Sequence, residues 1–153
     1  MTTLSEAPVA KAEMLIRRPV EEVFEAFIDP AVTTKFWFTK SSGKLEAGKT
    51  VKWEWEMYGV ADDIKVLEVE ANRRILIDFG GSPAEWIFTP RAEGTMVTIT
   101  NSGFEGDGDA IVRQAIDSMG GFTMVLCGLK ALLEHGVVLN LIADKAPDAN
   151  VAR

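Results

Sequence analysis

The sequence predicts an α+β fold in which an antiparallel sheet of six or seven strands curls around one long C-terminal helix, with two short helices after the first strand. One observation is a series of short runs with alternating polarity, separated by turn residues, through the middle of the chain. Another is an apolar stripe that steps by three or four residues between Asp107 and Gly136. Because only this helix is long enough to cover the apolar face of the sheet, the sheet must curl around it.

The first elements are predicted to be a strand and two short helices. Residues 10–18 alternate as a strand does, and the segment Pro19–Pro30 predicts a helix with Pro19 in its first turn. The segment Ala31–Phe38 predicts a second short helix or turn and ends in three aromatic residues. We expect one of these rings, Trp37 above all, to cover the open end of the curled sheet, because a large rigid ring suits that position.

Six further segments have the alternation and the turn signals of strands. They are Gly43–Gly48, Lys49–Gly59, Asp62–Asn72, Arg73–Gly81, Ala84–Gly94 and Gly94–Phe104. Alternate side chains of a strand point to opposite faces, and burying charged residues is costly, so Trp53 and Trp55 are predicted to point inward. The apolar residues change phase between Val66 and Leu67, which predicts a β-bulge.

The long helix is predicted over Asp107–Gly136, with Asp107 or Asp109 as its cap. Its apolar stripe consists of Val112, Ile116, Met119, Phe122, Leu126, Leu129 and Leu133. The helix also contains three interior glycines, which each cost about 1 kcal/mol relative to alanine. They are Gly120, Gly121 and Gly128. These glycines indicate either close packing of the helix on the sheet or room for a ligand.

The inward faces of the sheet and helix are rich in aromatic residues, which would suit a packed core or a ligand pocket equally well. The candidate ligand-binding residues are Trp37, Val51, Trp53, Trp55, Met57, Ile77, Trp86, Phe88, Ile99, Asn101, Met119, Phe122 and Leu126. Three further polar groups are placed near the rim of such a pocket. They are Arg17, Arg18 and Lys35.

The sequence offers no candidate catalytic residue and no candidate metal site. The one histidine, His135, is expected to stabilise the carboxyl end of the long helix, and the one cysteine, Cys127, to be a small buried side chain. The carboxylates before the helix are better explained as helix caps than as calcium ligands. No cofactor is expected, and binding is favoured over catalysis, although an enzyme stays open.

Length and charge limit the remaining possibilities. The 153 residues fit one domain, 1–153, whose ordered core is expected to span about residues 9–147 while both ends fray. The net charge of −7 disfavours nucleic acid and anionic membranes as partners. The sequence shows no signal peptide and no membrane-spanning run, and together with the single cysteine this favours a cytoplasmic location.

Five segments carry a resemblance to a known family. They are Arg17–Pro30, Lys35–Phe38, Gly43–Gly59, Lys65–Phe79 and Gly128–Gly136. From about residue 11 to residue 147 the chain resembles the START-like (SRPBCC) superfamily with the helix-grip fold. Within it, the chain is similar to the bacterial Aha-type branch (activator of heat-shock-protein-90 ATPase homology), near the CalC-like proteins. The resemblance implies a deep, mostly apolar cavity between the long helix and the sheet.

This superfold serves several functions, so three classes stay open. The favoured class is a protein that holds a small apolar or aromatic molecule in the cavity. The alternative is a protein-interaction or stress-response module related to the co-chaperones, with a possible homodimer and a possible chaperone partner. That alternative is weaker, because the well-known co-chaperones pair this domain with a separate N-terminal domain. A cyclase or hydrolase type of enzyme is the third class.

Overall fold

The structure is a computed structural model that describes residues 4–148. The ends that are expected to fray include residues 1–3 and 149–153, which lie outside the described residues. The strands are β1 (Ala10–Ile16), β2 (Lys40–Ser41), β3 (Thr50–Trp55), β4 (Val60–Glu70), β5 (Arg74–Phe79), β6 (Ser82–Arg91) and β7 (Gly94–Asn101). The helices are α1 (Val20–Ile28), α2 (Pro30–Thr33), α3 (Gly108–His135) and α4 (Leu141–Asp144), and a 3-10 turn covers Glu56–Tyr58. The predicted α+β class and helix-grip arrangement are confirmed.

The strands form one seven-stranded antiparallel sheet in the order β1-β7-β6-β5-β4-β3-β2. Helix α3 packs mainly on β1, at one edge of this order, and also contacts β7. Its buried apolar side chains in the second half include Phe122, Val125, Leu126 and Leu129. The inner face of the sheet and this half of α3 therefore share one core, in which Trp53, Trp86 and Ile77 are almost fully buried.

Helices α1 and α2 close one end of the core. On α1, the ring of Phe24 lies edge-on to Phe88 of β6, with 5.2 Å between the ring centroids. Asp29 caps α2, because its carboxylate accepts a hydrogen bond of 2.9 Å from the backbone N–H of Ala31. The chain then turns inward, so that the aromatic side chain of Trp37 is buried between sheet and helix.

Two predicted strand boundaries are wrong. Residues 43–48 form a loop rather than a strand, and the second strand is the short β2 before them. Leu45 holds this loop, since its side chain is buried and its N–H donates to the carbonyl of Ile28. The strand predicted to end at Gly59 ends at Trp55, because the 3-10 turn follows, and Met57 therefore lies in this turn instead of on the inner face.

The predicted apolar stripe of α3 is also wrong in its first half. Ile116 is 61% exposed and Met119 is 49% exposed, so neither points inward as expected. Met119 lies about two turns before the buried Leu126, on nearly the same face of the helix, so this face is covered along the second half of α3 and not along the first. The first half then turns Ser118 and Gly121 inward over a cavity, where no close packing excludes small or polar side chains.

Two further features complete the fold. The predicted β-bulge in β4 is confirmed by a shift in register between Val66 and Glu68, and Leu67 is left 48% exposed. By length and composition alone, α3 is apolar enough to cross a membrane, although the sequence showed no such run. Because α3 packs on β1 and carries buried residues of the core, this is the arrangement of a core helix.

Candidate functional site

A cavity of about 580 Å³ opens between the first half of α3 and the sheet. The 3-10 turn and the start of β4 contribute Tyr58, Val60 and Asp62 to its wall. The start of β6 and the end of β7 contribute Ser82 and Asn101. This volume is within the range of pockets that hold small molecules.

Four aromatic rings form a closed ring of contacts in this cavity, which we call the aromatic box: Trp37, Trp55, Phe79 and Phe122. Centroid distances are 6.3 Å from Trp37 to Trp55 and 6.1 Å from Trp55 to Phe79. They are 6.1 Å from Phe79 to Phe122 and 5.8 Å from Phe122 back to Trp37. Trp37 and Phe79 also contact each other, so each ring is held by at least two others and the apolar part of the cavity is formed in advance.

Trp37 lies inside the protein, and its expected role of covering the open end of the sheet stays a prediction. It is only 7% exposed, and besides the aromatic box it contacts Phe38, Trp53 and Trp86. It also borders a small space among core residues, together with Trp53 and Trp86. Trp37 is therefore the floor that separates the cavity from the core.

The helix glycines have different roles. A Cβ atom on Gly128 would lie 3.3 Å from the Cβ of Phe36, so this glycine allows close packing. A Cβ on Gly120 or Gly121 would meet nothing within 4 Å. Only Gly121 of this pair lines the cavity, so this glycine provides room there. Close packing thus explains Gly128, and room in the cavity explains Gly121.

Asp62 brings a carboxylate into the cavity wall. It is the register partner of Trp53 in the pairing of β4 with β3, and directly opposed residues share a face of the sheet. Burial raises the pKa of the Asp62 carboxyl, and the neighbouring Asp63 carboxylate raises it further. The carboxylate is thus less well solvated than one on the outer face.

A hydrogen-bonded pair connects the end of β7 to α3. The Oγ of Ser118 donates to the Oδ1 of Asn101 over 2.8 Å. The Nδ2 of Asn101 donates to the carbonyl of Pro83 over 2.9 Å. Asn101 is 7% exposed, so these bonds satisfy a buried amide and hold the helix wall at a fixed distance from the sheet.

The segment after α3 borders the mouth of the cavity. Gly136 ends α3 in the left-handed conformation, and the chain then leads to α4. The hydroxyl of Tyr58 donates to the carbonyl of Ile142, which fixes α4 to the 3-10 turn. Ile142 and Lys145 line the cavity from this side.

The structure brings four of the predicted ligand-binding residues to the cavity: Trp37, Trp55, Asn101 and Phe122. Seven others are buried in the core beneath or beside it: Val51, Trp53, Ile77, Trp86, Phe88, Ile99 and Leu126. Met57 lines a separate, smaller pocket of about 80 Å³ together with Lys35, and Met119 is on the exposed side of α3. The role of these residues in binding stays a prediction.

Several lining residues were missed from the sequence. Asp62 has the same phase in β4 as the buried Ile64 and Val66, and this signal would have placed it inward. Ser118 and Gly121 could be found only after the rotation of α3 was known, because apolar periodicity favours Ile116 instead.

The other polar candidates lie away from the cavity. The backbone N–H of Arg17 donates to Glu134 over 2.9 Å, and Arg18 pairs with Glu22. His135 is the last residue of α3, with a side chain 70% exposed, as expected for a residue at a helix end. Within residues 4–148, no group of three or more His, Cys, Asp or Glu side chains could hold a metal ion.

Comparisons with known proteins agree with this architecture. The model of the family described as "Activator of Hsp90 ATPase homolog 1-like protein" matches residues 17–134. A structure from Staphylococcus saprophyticus is 36% identical, with a TM-score of 0.79, over 86% of this chain and 96% of that one. No curated protein matches the sequence.

Two more distant structures share the fold. A protein of Mesorhizobium loti is 21% identical over 85% of this chain and 99% of that one, with a TM-score of 0.75. The Aha1 dimer from Colwellia psychrerythraea is 20% identical over 84% of this chain and 98% of that one, with a TM-score of 0.71. The family match ends before α4, so the segment that borders the mouth of the cavity lies beyond it.

Proposed function

The chain belongs to the Activator of Hsp90 ATPase homolog 1-like family, as an Aha-type domain of the START-like superfamily, and from this premise we propose that it binds a small, largely aromatic molecule in the cavity between α3 and the sheet. The observation that carries the proposal is the aromatic box at the floor of a cavity of about 580 Å³. A domain that needed only a core would fill this volume, because protein interiors are close-packed.

The energy of such binding is adequate. A ligand that buries a few hundred Å² of apolar surface gains ~25 cal/mol per Å². After the cost of association, this leaves an affinity in about the micromolar range. Since the rings of the aromatic box already hold one another, little further ordering of side chains is needed when the ligand enters.

The test is a titration with N-phenyl-1-naphthylamine, a neutral aromatic probe whose fluorescence rises in an apolar site. Gly121→Leu should weaken its binding at least about tenfold, because the added side chain extends into the cavity without a clash at its Cβ. The matched control is Gly120→Leu, which makes the same change one residue away and outside the cavity lining.

The two variants should both be more stable than the native protein, because leucine favours a helix more than glycine does. A loss of binding in Gly121→Leu therefore does not come from unfolding. If Gly121→Leu and Gly120→Leu bind the probe equally well, the cavity is not the binding site and the proposal is wrong.

A second candidate function is interaction with a chaperone of the heat-shock-protein-90 type, and the family description favours it. The related Aha1 protein from Colwellia psychrerythraea is a dimer, which similarly suggests a homodimer here. Chaperone interaction is tested by adding the purified chain to such a chaperone and measuring the ATPase rate of the chaperone. The homodimer is tested by sedimentation of the chain alone. A change in the ATPase rate would favour this candidate over ligand binding.

The single free cysteine, Cys127, would suit the reducing cytoplasm in which either function would operate.

A further inference from the structure

Three of the polar side chains that line the cavity use their hydrogens inside the protein: Tyr58, Gln114 and Ser118. The hydroxyl of Ser118 donates its single hydrogen to the Oδ1 of Asn101, and the hydroxyl of Tyr58 donates its hydrogen to the carbonyl of Ile142. The Nε2 of Gln114 donates to the carbonyls of Glu105 and Ala110, at 2.7 and 3.1 Å. These three side chains thus keep oxygen lone pairs as their remaining hydrogen-bonding capacity.

Two carboxylates add to these acceptors from different walls. Asp62 is on the inner face of β4, and Asp117 is on α3 next to Ser118. Among residues 4–148, neither carboxylate has a cation within ion-pair distance. The cationic side chain in the described lining is Lys145, so the lining carries two negative charges and one positive charge.

A partly desolvated carboxylate next to aromatic rings favours a particular kind of guest. Taking a charge out of water is costly unless a partner of opposite charge is supplied. The faces of aromatic rings attract cations as well, and the aromatic box provides two indole rings. The net charge of −7 also raises the local concentration of cations around the molecule.

We infer that the ligand of this cavity is an aromatic cation, in which an apolar ring system packs against the aromatic box and a protonated amine donates to Asp62. The inference rests on the proposed function, since it takes the cavity as the binding site. It adds the chemical class of the ligand and names Asp62 as the residue that selects it. Asp117 and the hydroxyl of Ser118 provide further acceptors for the same amine.

The test compares three probes that share one ring system and differ in charge: 2-naphthylmethylamine, 2-naphthylmethanol and 2-naphthoate. Isothermal titration calorimetry near neutral pH gives each affinity. The amine should bind about tenfold tighter than the alcohol, the size expected for one hydrogen bond to a charged group. The carboxylate should bind more weakly than the alcohol, because Asp62 and Asp117 repel it.

Each other outcome overturns a defined part of the account. Equal affinities for the amine and the alcohol would contradict the inference while leaving ligand binding intact. Tightest binding of the carboxylate would also contradict it and would identify Lys145 as the selecting group. If no probe binds, the proposed function fails and the inference fails with it.

A pair of variants assigns the selectivity to one residue. Asp62→Asn should reduce the preference for the amine over the alcohol to about twofold, because the amide carries no charge. Asp63→Asn removes the same charge from the exposed side of the same strand, opposite Lys52, and should keep most of the preference. Equal preference in the two variants would mean that Asp62 does not contact the amine.

Discussion

Asp62 lies directly across from Trp53 in the pairing of β4 with β3, so a carboxylate and a fully buried indole ring share the inner face of the sheet. The indole packs into the core, while the carboxylate reaches the cavity. At this position of the sheet, the β3 residue therefore belongs to the core and the opposed β4 residue to the candidate site. The proposed selection of a cation by Asp62 rests on this position, because the carboxylate is partly buried in a cavity wall that also contains the aromatic box.

The first prediction concerns stability and pH. Because folding raises the pKa of Asp62 above its ordinary value of 3.8, the folded state loses stability as pH rises through the raised pKa. Asp62→Asn avoids this loss, so it should be more stable than the native protein near neutral pH. The difference should shrink as pH falls toward 3.8. Urea unfolding across this range measures it, and a variant that is less stable near neutral pH would contradict the burial argument.

The second prediction separates the aromatic box from the single histidine. Trp55→Ala removes the ring that stacks on Phe79. It should weaken binding of the neutral probe N-phenyl-1-naphthylamine by roughly tenfold. His135→Ala should leave the affinity unchanged, because its exposed side chain lies outside the cavity lining. Circular dichroism confirms that each variant is folded. Weaker binding in a folded His135→Ala would show that the site has been misplaced.

The third prediction concerns the segment that borders the mouth. Tyr58→Phe removes the hydrogen bond to the carbonyl of Ile142, which contributes about 1 kcal/mol. Opening of α4 should become about fivefold more frequent, and the amides of Asp144 and Lys145, which bond within α4, should exchange with deuterium faster by this factor. Amides of β6 should keep their rates. Unchanged exchange at Asp144 and Lys145 would mean that the tyrosine hydroxyl does not hold α4.

The fourth prediction uses the glycine at the close approach of α3 to the chain after α2. Gly128→Leu places a side chain where the Cβ already lies 3.3 Å from Phe36, so it should destabilise the fold by about 1–3 kcal/mol. The same substitution at Gly120 should stabilise the fold through helix propensity. Thermal unfolding of the two variants gives the comparison. A stabilised Gly128→Leu would show that the helix is not closely packed there.

Much of the fold could be predicted from the sequence, because alternation and helical periodicity are local signals. The face of β3 that carries Trp53 and Trp55 was predicted correctly, as was the bulge after Val66. The part of α3 that is covered could not be predicted in the same way. Periodicity does not show how far along the helix its apolar face is covered, and Met119 is exposed although it lies about two turns before the buried Leu126.

The candidate site was predicted only in part for a related reason. Trp37, Trp55 and Phe122 are large apolar residues, so they are expected inside whether they line a cavity or fill a core. The residues that distinguish a cavity from a core are Asp62 and Gly121. A carboxylate and a glycine are ordinary on a protein surface, so their inward position becomes visible only in three dimensions.

The most direct test of ligand binding in the cavity is a two-dimensional NMR titration that follows the indole N–H signals of the four tryptophans. Two of them, Trp37 and Trp55, belong to the aromatic box, whereas Trp53 and Trp86 are at most 2% exposed and do not line the cavity. Single Trp→Phe variants assign the four signals. With 2-naphthylmethylamine, the signals of Trp37 and Trp55 should shift progressively and saturate, while those of Trp53 and Trp86 shift much less. Saturating shifts that leave Trp37 and Trp55 unaffected would place the ligand elsewhere and contradict the account.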